Sequence, residues 1–207
     1  MMRTANVAGD YYALRQFTCD TGAILNKAHQ AGQDILIEGT QGYWLGLHAG
    51  HYPQSTTNNC RAIDIIAQAG VTPLNRPDIW VVFRTYPIRV AGNSGPMGAE
   101  IDWETLSEAT DGYIQPERTT VTQKIRRVAQ WDSIDARAAL DANGGPENDK
   151  LHAALMFIDY LDPALAEMTT MDQVEGSPAM EWIEQREDEI GMAFSMFGTG
   201  PDTVVWR

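Results

Sequence analysis

Four polar groups, each beside an apolar run, have residue types suited to holding an anionic, hydrogen-bonding ligand. The first is Glu38-Gly39-Thr40-Gln41-Gly42. Its glycines let backbone approach closely, and Thr40 and Gln41 offer a hydroxyl and an amide. The second is the long polar connection from Gly39 to Cys60, with Gln54, Ser55, Thr56, Thr57, Asn58 and Asn59. Ordered connections of that length are often functional. The third is Glu117 to Arg127, where hydroxyls alternate with bases and Lys124, Arg126 and Arg127 follow. That pattern suits phosphate or carboxylate, although an exposed charged loop accounts for the same composition. The fourth is Asp159, just beyond the apolar run Leu151 to Ile158. A carboxylate there is placed to accept hydrogen bonds from a base such as guanine, or to cap the next helix.

Other chemistries lack their residues. His48 and His51 have no carboxylate or cysteine at metal-ligand spacing. Cys19 and Cys60 form neither a disulfide framework nor a zinc motif. No catalytic residue and no metal ligand is assigned. A formal charge of −13 argues against general nucleic-acid binding. The acidic run Glu181, Glu184, Glu187, Asp188 and Glu189 reads as a solvated helix face. There is no apolar run of about 18 residues to span a membrane and no signal-peptide core, so the expected location is the cytoplasm.

The elements that must position these groups alternate. Helices are expected over Tyr11 to Gln30, Cys60 to Ala69, Trp103 to Ala109, Asp132 to Leu140 and Met180 to Ile190. Strands are expected at Ile35 to Glu38, Ile79 to Phe83, Leu151 to Ile158 and Met192 to Phe197. Apolar strands separated by helices predict an α/β fold with a mostly parallel sheet flanked by helices. Each polar loop then lies at a strand end, where ligands bind in open α/β sheets. With 207 residues, the chain is expected to be a single domain spanning 1–207.

Taken together and in order, these loops resemble the adenylosuccinate synthetase family, whose fold is related to the P-loop NTPases. Glu38-Gly39-Thr40-Gln41-Gly42 with Leu45 is similar to the segment whose glutamine and leucine contact the purine monophosphate. Tyr52-Pro53 with Thr56-Thr57-Asn58-Asn59 is similar to the next loop, whose first threonine, here Thr56, contacts the nucleotide phosphate. Arg89-Val90 resembles the Arg-Val pair near the ribose. Thr119 to Asp132 is similar to the aspartate-binding loop, with Thr120 and Thr122 at the threonines and Arg126 at an arginine reaching both ligands. Lys124 stands at an arginine position and is assigned to both nucleotide and aspartate. Asp159 matches the residue that reads guanine, and Gly198-Thr199-Gly200-Pro201 the loop beside that base. The resemblance implies GTP as co-substrate, a purine monophosphate such as IMP, L-aspartate, and a homodimer sharing an arginine near Arg3.

There are departures. Gln123 replaces a glycine, Gln130 a tryptophan, and Phe157 a lysine that stacks on the guanine. The family's glycine-rich phosphate loop with its catalytic aspartate, and the catalytic histidine, have no counterpart in these residues. The matched region corresponds to the family's middle and C-terminal parts, and the resemblance puts the Mg²⁺ ligands in the unmatched part. Three readings follow: the substrate-recognition part of a ligase completed by a partner chain bearing the phosphate loop; a non-catalytic purine-nucleotide-binding or regulatory protein; or a structural remnant.

Overall fold

The computed structural model describes residues 16–72 and 77–207. Its centre is a four-stranded sheet ordered β1-β5-β6-β7, formed by β1 (Ile79–Arg84), β5 (Leu151–Met156), β6 (Phe194–Gly198) and β7 (Val204–Trp206). The first three strands are parallel, and β7 returns antiparallel to β6. A smaller antiparallel sheet, β2-β4-β3, joins β2 (Ile88–Arg89), β3 (Glu100–Ile101) and β4 (Arg127–Ala129). The helices are α1 (Thr21–Gln30), α2 (Ala62–Ala69), α3 (Trp103–Ala109), α4 (Ser133–Asp141), α5 (Met171–Glu175) and α6 (Ala179–Ile190). The expected α/β class with a mostly parallel sheet is what forms; the small antiparallel sheet and β7 were not expected from sequence.

One face of the large sheet carries the main core. Ile79, Val81 and Phe83 alternate inward along β1 and meet Leu155, Phe194 and Phe197 of the next strands. Over them lie Ala136 and Leu140 of α4 and Ala179, Met180, Ile183 and Ile190 of α6. Phe194 and Phe197 are fully buried, a burial worth roughly 1.5–3 kcal/mol for each ring. The other face is more open: Trp80 stacks on His152 and meets Trp206 edge-on, while Val82 is 60% exposed.

Several boundaries differ from expectation for local reasons. Helix α1 starts at Thr21 because the Asp20 carboxylate caps it, accepting from the Ala23 amide at 3.0 Å; Tyr11 to Arg15 lie outside the described residues. Strand β5 stops at Met156 because Phe157 turns left-handed, at φ 65°, and starts a 3₁₀ turn over Ile158–Tyr160. The main correction is Ile35 to Glu38, which is not a strand. Its composition suits one, but a strand needs a ladder partner, and none of the described strands pairs with it. Leu36 is 95% exposed there.

Candidate functional site

The turn at Glu38 to Gln41 borders a cavity of about 240 Å³, closed opposite by Asn58, Asn59 and Cys60 and by Ile65 of α2. Gly39 packs against α2: a Cβ there would lie 2.5 Å from Ile65 Cδ1, so a side chain would need that methyl to shift. The Thr40 hydroxyl donates to Gln41 Oε1 at 2.7 Å, which orients the amide and leaves its NH₂ group as the outward donor. Burial, and then the Asp64 carboxylate, push the Cys60 thiol up from its ordinary range, so it stays protonated beside the cavity.

Two of the residues expected to hold a purine monophosphate, Leu45 and Thr56, are tied together by backbone. Leu45 ends a 3₁₀ turn over Tyr43–Leu45, and its carbonyl accepts from the Thr56 amide at 2.7 Å. The Trp44 indole donates to the Asp135 carbonyl at 3.2 Å and stacks on His51. Val90 follows Arg89, which sequence reasoning placed near a ligand but gave no role. Arg89 is 9% exposed and donates to the Ser94 carbonyl at 2.6 Å and to the Trp44 carbonyl at 3.3 Å. It therefore fastens the Trp44–Leu45 turn to the glycine-rich loop after β2. Burial, and then the nearby Arg127, lower its pKa; Asp135 opposes that. Gly95 is held at φ 96°, and a Cβ there would stand 2.9 Å from the Arg89 guanidinium.

The Thr119 to Arg126 loop is a hairpin pinched at the Arg118–Ile125 bridge. The Thr119 and Thr122 hydroxyls are 2.6 Å apart, and the Lys124 amide donates to Thr119 Oγ1 at 3.1 Å. Thr120, Thr122 and Lys124 stand exposed at its tip, while Arg126 is half-buried at its base. Gln123 occupies the left-handed region at φ 53°, a conformation glycine adopts without cost. The next residue, Arg127, pairs with Glu100 and donates to the Gly95 carbonyl at 2.7 Å. That contact joins the hairpin to the loop fastened by Arg89.

A third cluster surrounds Asp159. This residue is 5% exposed, and its Oδ2 accepts from the Tyr113 hydroxyl at 2.8 Å. Oδ1 is buried with no hydrogen-bond partner. Burial raises the Asp159 pKa, against the lowering by Tyr113. Burial, with the hydrogen bond to Asp159, pushes Tyr113 up to about 12. Arg84 lies over the Phe157 ring, 3.8 Å from its centroid, and pairs with Glu117. Strand β6 packs on the Ile158–Tyr160 turn and delivers the Gly198 to Pro201 loop. The Thr199 carbonyl accepts from the Glu167 amide at 3.0 Å, and a side chain at Gly200 would collide with the Glu167 carboxylate.

Three groups thus lie along one path of contacts: the Leu45–Thr56 tie; then the Thr119 to Arg126 hairpin; then Asp159 with the loop that follows β6. The links are Arg89 and Arg127 between the first two, and Glu117 with Arg84 between the last two, since the Glu117 carbonyl accepts from the Arg126 amide at 2.8 Å. Sequence reasoning gave no role to Arg84, Tyr113 and Glu167, and named Glu117 only as the start of the basic run. Only Arg84 had a signal, a base directly after an apolar strand. Arg3 lies outside the described residues. Among the described residues, no group of three or more His, Cys, Asp or Glu could hold a metal ion, and no helix is long and apolar enough to cross a membrane.

Comparison with known proteins converges on one family. The family model described as adenylosuccinate synthetase matches residues 4–165. The adenylosuccinate synthetase of Methanococcus aeolicus is 31% identical over 201 residues, covering 97% of this chain and 56% of its own. That of Methanosphaera stadtmanae is 33% identical over 200 residues, covering 97% of this chain and 55% of its own. The chain thus spans a little over half the length of these curated relatives. Among solved structures, the cyanophage S-2L succinoaminodeoxyadenylate synthetase, bound to dGMP and to dATP as an energy donor, aligns with a TM-score of 0.63 at 28% identity. It covers 87% of this chain and 47% of that one. Fully ligated adenylosuccinate synthetase from Plasmodium falciparum shares the fold, with a TM-score of 0.78 at 17% identity, covering 98% of this chain and 57% of that one.

Proposed function

The chain belongs to the adenylosuccinate synthetase family, and from that premise we propose that it is the nucleotide-recognition part of a ligase. The reaction is the GTP-dependent, GDP-forming condensation of a purine monophosphate such as IMP with L-aspartate. The observation that supports this reading is the backbone bond from the Thr56 amide to the Leu45 carbonyl, on a turn that Arg89 fastens through the Trp44 carbonyl.

In this reading each cluster has a task. The Gln41 amide orients the purine, and the Thr56 hydroxyl meets its phosphate. The Thr120 and Thr122 hydroxyls, with Lys124 and Arg126, hold the aspartate carboxylates; Lys124 supplies charge without the bidentate fork of arginine. Arg126 also reaches the nucleoside triphosphate, whose base lies against Asp159 and the Gly198, Gly200 and Pro201 loop. The donor is GTP by the family's habit, although dATP serves the cyanophage enzyme. GTP phosphorylates the purine 6-oxygen, and the aspartate amine then displaces that phosphate. The first step needs a base, Mg²⁺ and a cradle for the γ-phosphate. No cluster among the described residues fits the Mg²⁺; in this reading its ligands, the base and the phosphate loop belong to the part of the family that these residues do not match, in the same polypeptide or in a partner. The chain acts as a single domain in a cytoplasmic homodimer.

The test is reconstitution. With IMP, aspartate, GTP and Mg²⁺, the 207-residue chain is expected to form no adenylosuccinate alone and to form it once a polypeptide bearing the phosphate loop is supplied. Product from the chain alone would refute the assignment of the chemical step to another part.

A further inference from the structure

Arg126 lies between the Arg118–Ile125 bridge and the first residue of β4, outside both ladders. Its two backbone groups are held all the same. Its amide donates to the Glu117 carbonyl at 2.8 Å, and its carbonyl accepts from the Trp103 indole at 2.7 Å. Each anchor is itself fixed. Glu117 pairs with Arg84 at the end of β1. Trp103 opens α3, whose cap Asp102 accepts from the Thr105 amide at 2.7 Å. It is 8% exposed and packs with Leu106, Ile114 and Val128. The side chain held between these anchors is uncommitted. Arg118 donates to the Gln123 carbonyl at 2.9 Å and Arg127 pairs with Glu100, whereas the Arg126 guanidinium has no hydrogen-bond or ion-pair partner among the described residues.

We propose that Trp103 is the positioning residue for Arg126: its indole N–H fixes the Arg126 carbonyl, and so the direction in which the guanidinium leaves the backbone toward the aspartate carboxylates. The proposal rests on the assignment of Arg126 to L-aspartate given above. The amide of Arg126 belongs to the peptide plane before its Cα and the carbonyl to the plane after it. With both planes held, φ and ψ are set, and the Cα–Cβ direction follows. A guanidinium sits at the far end of a long stem, so a small rotation at Cα is magnified at the fork. Arginine pairs with a carboxylate through a planar fork that demands orientation, which makes the loss of that direction costly. The indole suits the task because it is a donor only and, when buried, needs an acceptor. Trp103 touches no ligand in this arrangement. Its influence is confined to what Arg126 reaches and spares the purine monophosphate at Gln41 and Thr56.

The experiment follows the Thr120 and Thr122 amide resonances of the isotope-labelled chain, saturated with IMP, during titration with L-aspartate. The wild type is expected to saturate. Trp103→Phe keeps an aromatic ring and removes the donor, and should bind L-aspartate about tenfold more weakly, with calorimetric IMP affinity unchanged within about twofold. In an Arg126→Ala background the same substitution should change L-aspartate affinity by less than about twofold, because Trp103 acts through Arg126. A merely structural role would weaken IMP as well, or cost the same in both backgrounds. Where Trp103→Phe does not fold, benzothienylalanine at position 103 keeps the fused ring and removes the N–H alone, and the same changes are expected. Equal L-aspartate affinity with and without the N–H, an equal loss in the Arg126→Ala background, or a matching loss of IMP overturns the positioning role and leaves the aspartate site standing. No saturable shift with the wild type removes the aspartate assignment and this proposal with it.

Discussion

Replacing Arg89 with methionine isolates the contact that fastens the purine loop. Methionine fills most of the volume of the arginine stem and removes the guanidinium. Two bonds are lost: the 2.6 Å donation to the Ser94 carbonyl and the 3.3 Å donation to the Trp44 carbonyl. Bonds from a charged donor are worth roughly 1.5–3 kcal/mol each, and the longer one belongs at or below the low end. Against that stands relief: Arg89 is 9% exposed, and its charge is disfavoured by burial and by Arg127. Half of the gross loss is a fair offset, so the net destabilisation is expected to be about 2 kcal/mol. A urea titration reads it as a lowered midpoint at unchanged slope. The same variant should bind IMP about tenfold more weakly, because the Trp44–Leu45 turn is no longer tied to the Ser94 loop. Lys27→Met serves as the control: Lys27 is exposed in the last turn of α1, so its loss should stay within about 0.5 kcal/mol. If Arg89→Met matches that control in both stability and IMP affinity, the fastening role is refuted.

Phe194→Ala should cost about 3–5 kcal/mol in urea unfolding, since the ring is fully buried between the sheet and α6; a loss under about 1 kcal/mol would contradict the core described. Asp159→Asn should raise stability at neutral pH. Burial raises the folded carboxyl pKa above its unfolded value of 3.8, so ionisation costs stability as pH climbs from there, and the advantage of the variant should fade in acid. Tyr113 favours its protonated form in the folded protein. The wild type should therefore lose stability relative to Tyr113→Phe as pH rises from 10 to about 12, measured as the difference between their denaturation midpoints. Gly200→Ala should destabilise the C-terminal loop by displacing the Glu167 carboxylate, and Glu167→Ala in the same chain should restore most of the loss.

What the sequence disclosed follows from how local each signal is. The strands Ile79–Arg84 and Leu151–Met156 and the helix Ala179–Ile190 were legible because short apolar runs and a period of 3.6 residues are local patterns. Ile35 to Ile37 misled for the converse reason: the run has the right composition, but a strand is defined by a neighbour, and composition does not carry one. Strand β4 escaped notice because three residues, Arg127 to Ala129, sit at the end of a basic loop that dominated the reading. At the site, the residues carried over from the family resemblance lie in the turn, the hairpin and the two strand-end loops described above. The pairings that join those groups were not legible, although Arg89, Glu117 and Arg127 stood in the stretches singled out. Arg84, Arg89, Glu117 and Tyr113 act through partners far along the chain, such as Asp159 for Tyr113 and Phe157 for Arg84, and such pairings depend on the fold.

The central claim is that the turn at Glu38 to Gly42 holds a purine monophosphate through Gln41. Isothermal titration of IMP into the wild-type chain and into Gln41→Ala tests it most directly. Saturable one-to-one binding by the wild type, weakened about tenfold or more in the variant by loss of a buried hydrogen bond, is the predicted result. No heat with the wild type, or equal affinity in Gln41→Ala, would contradict the account.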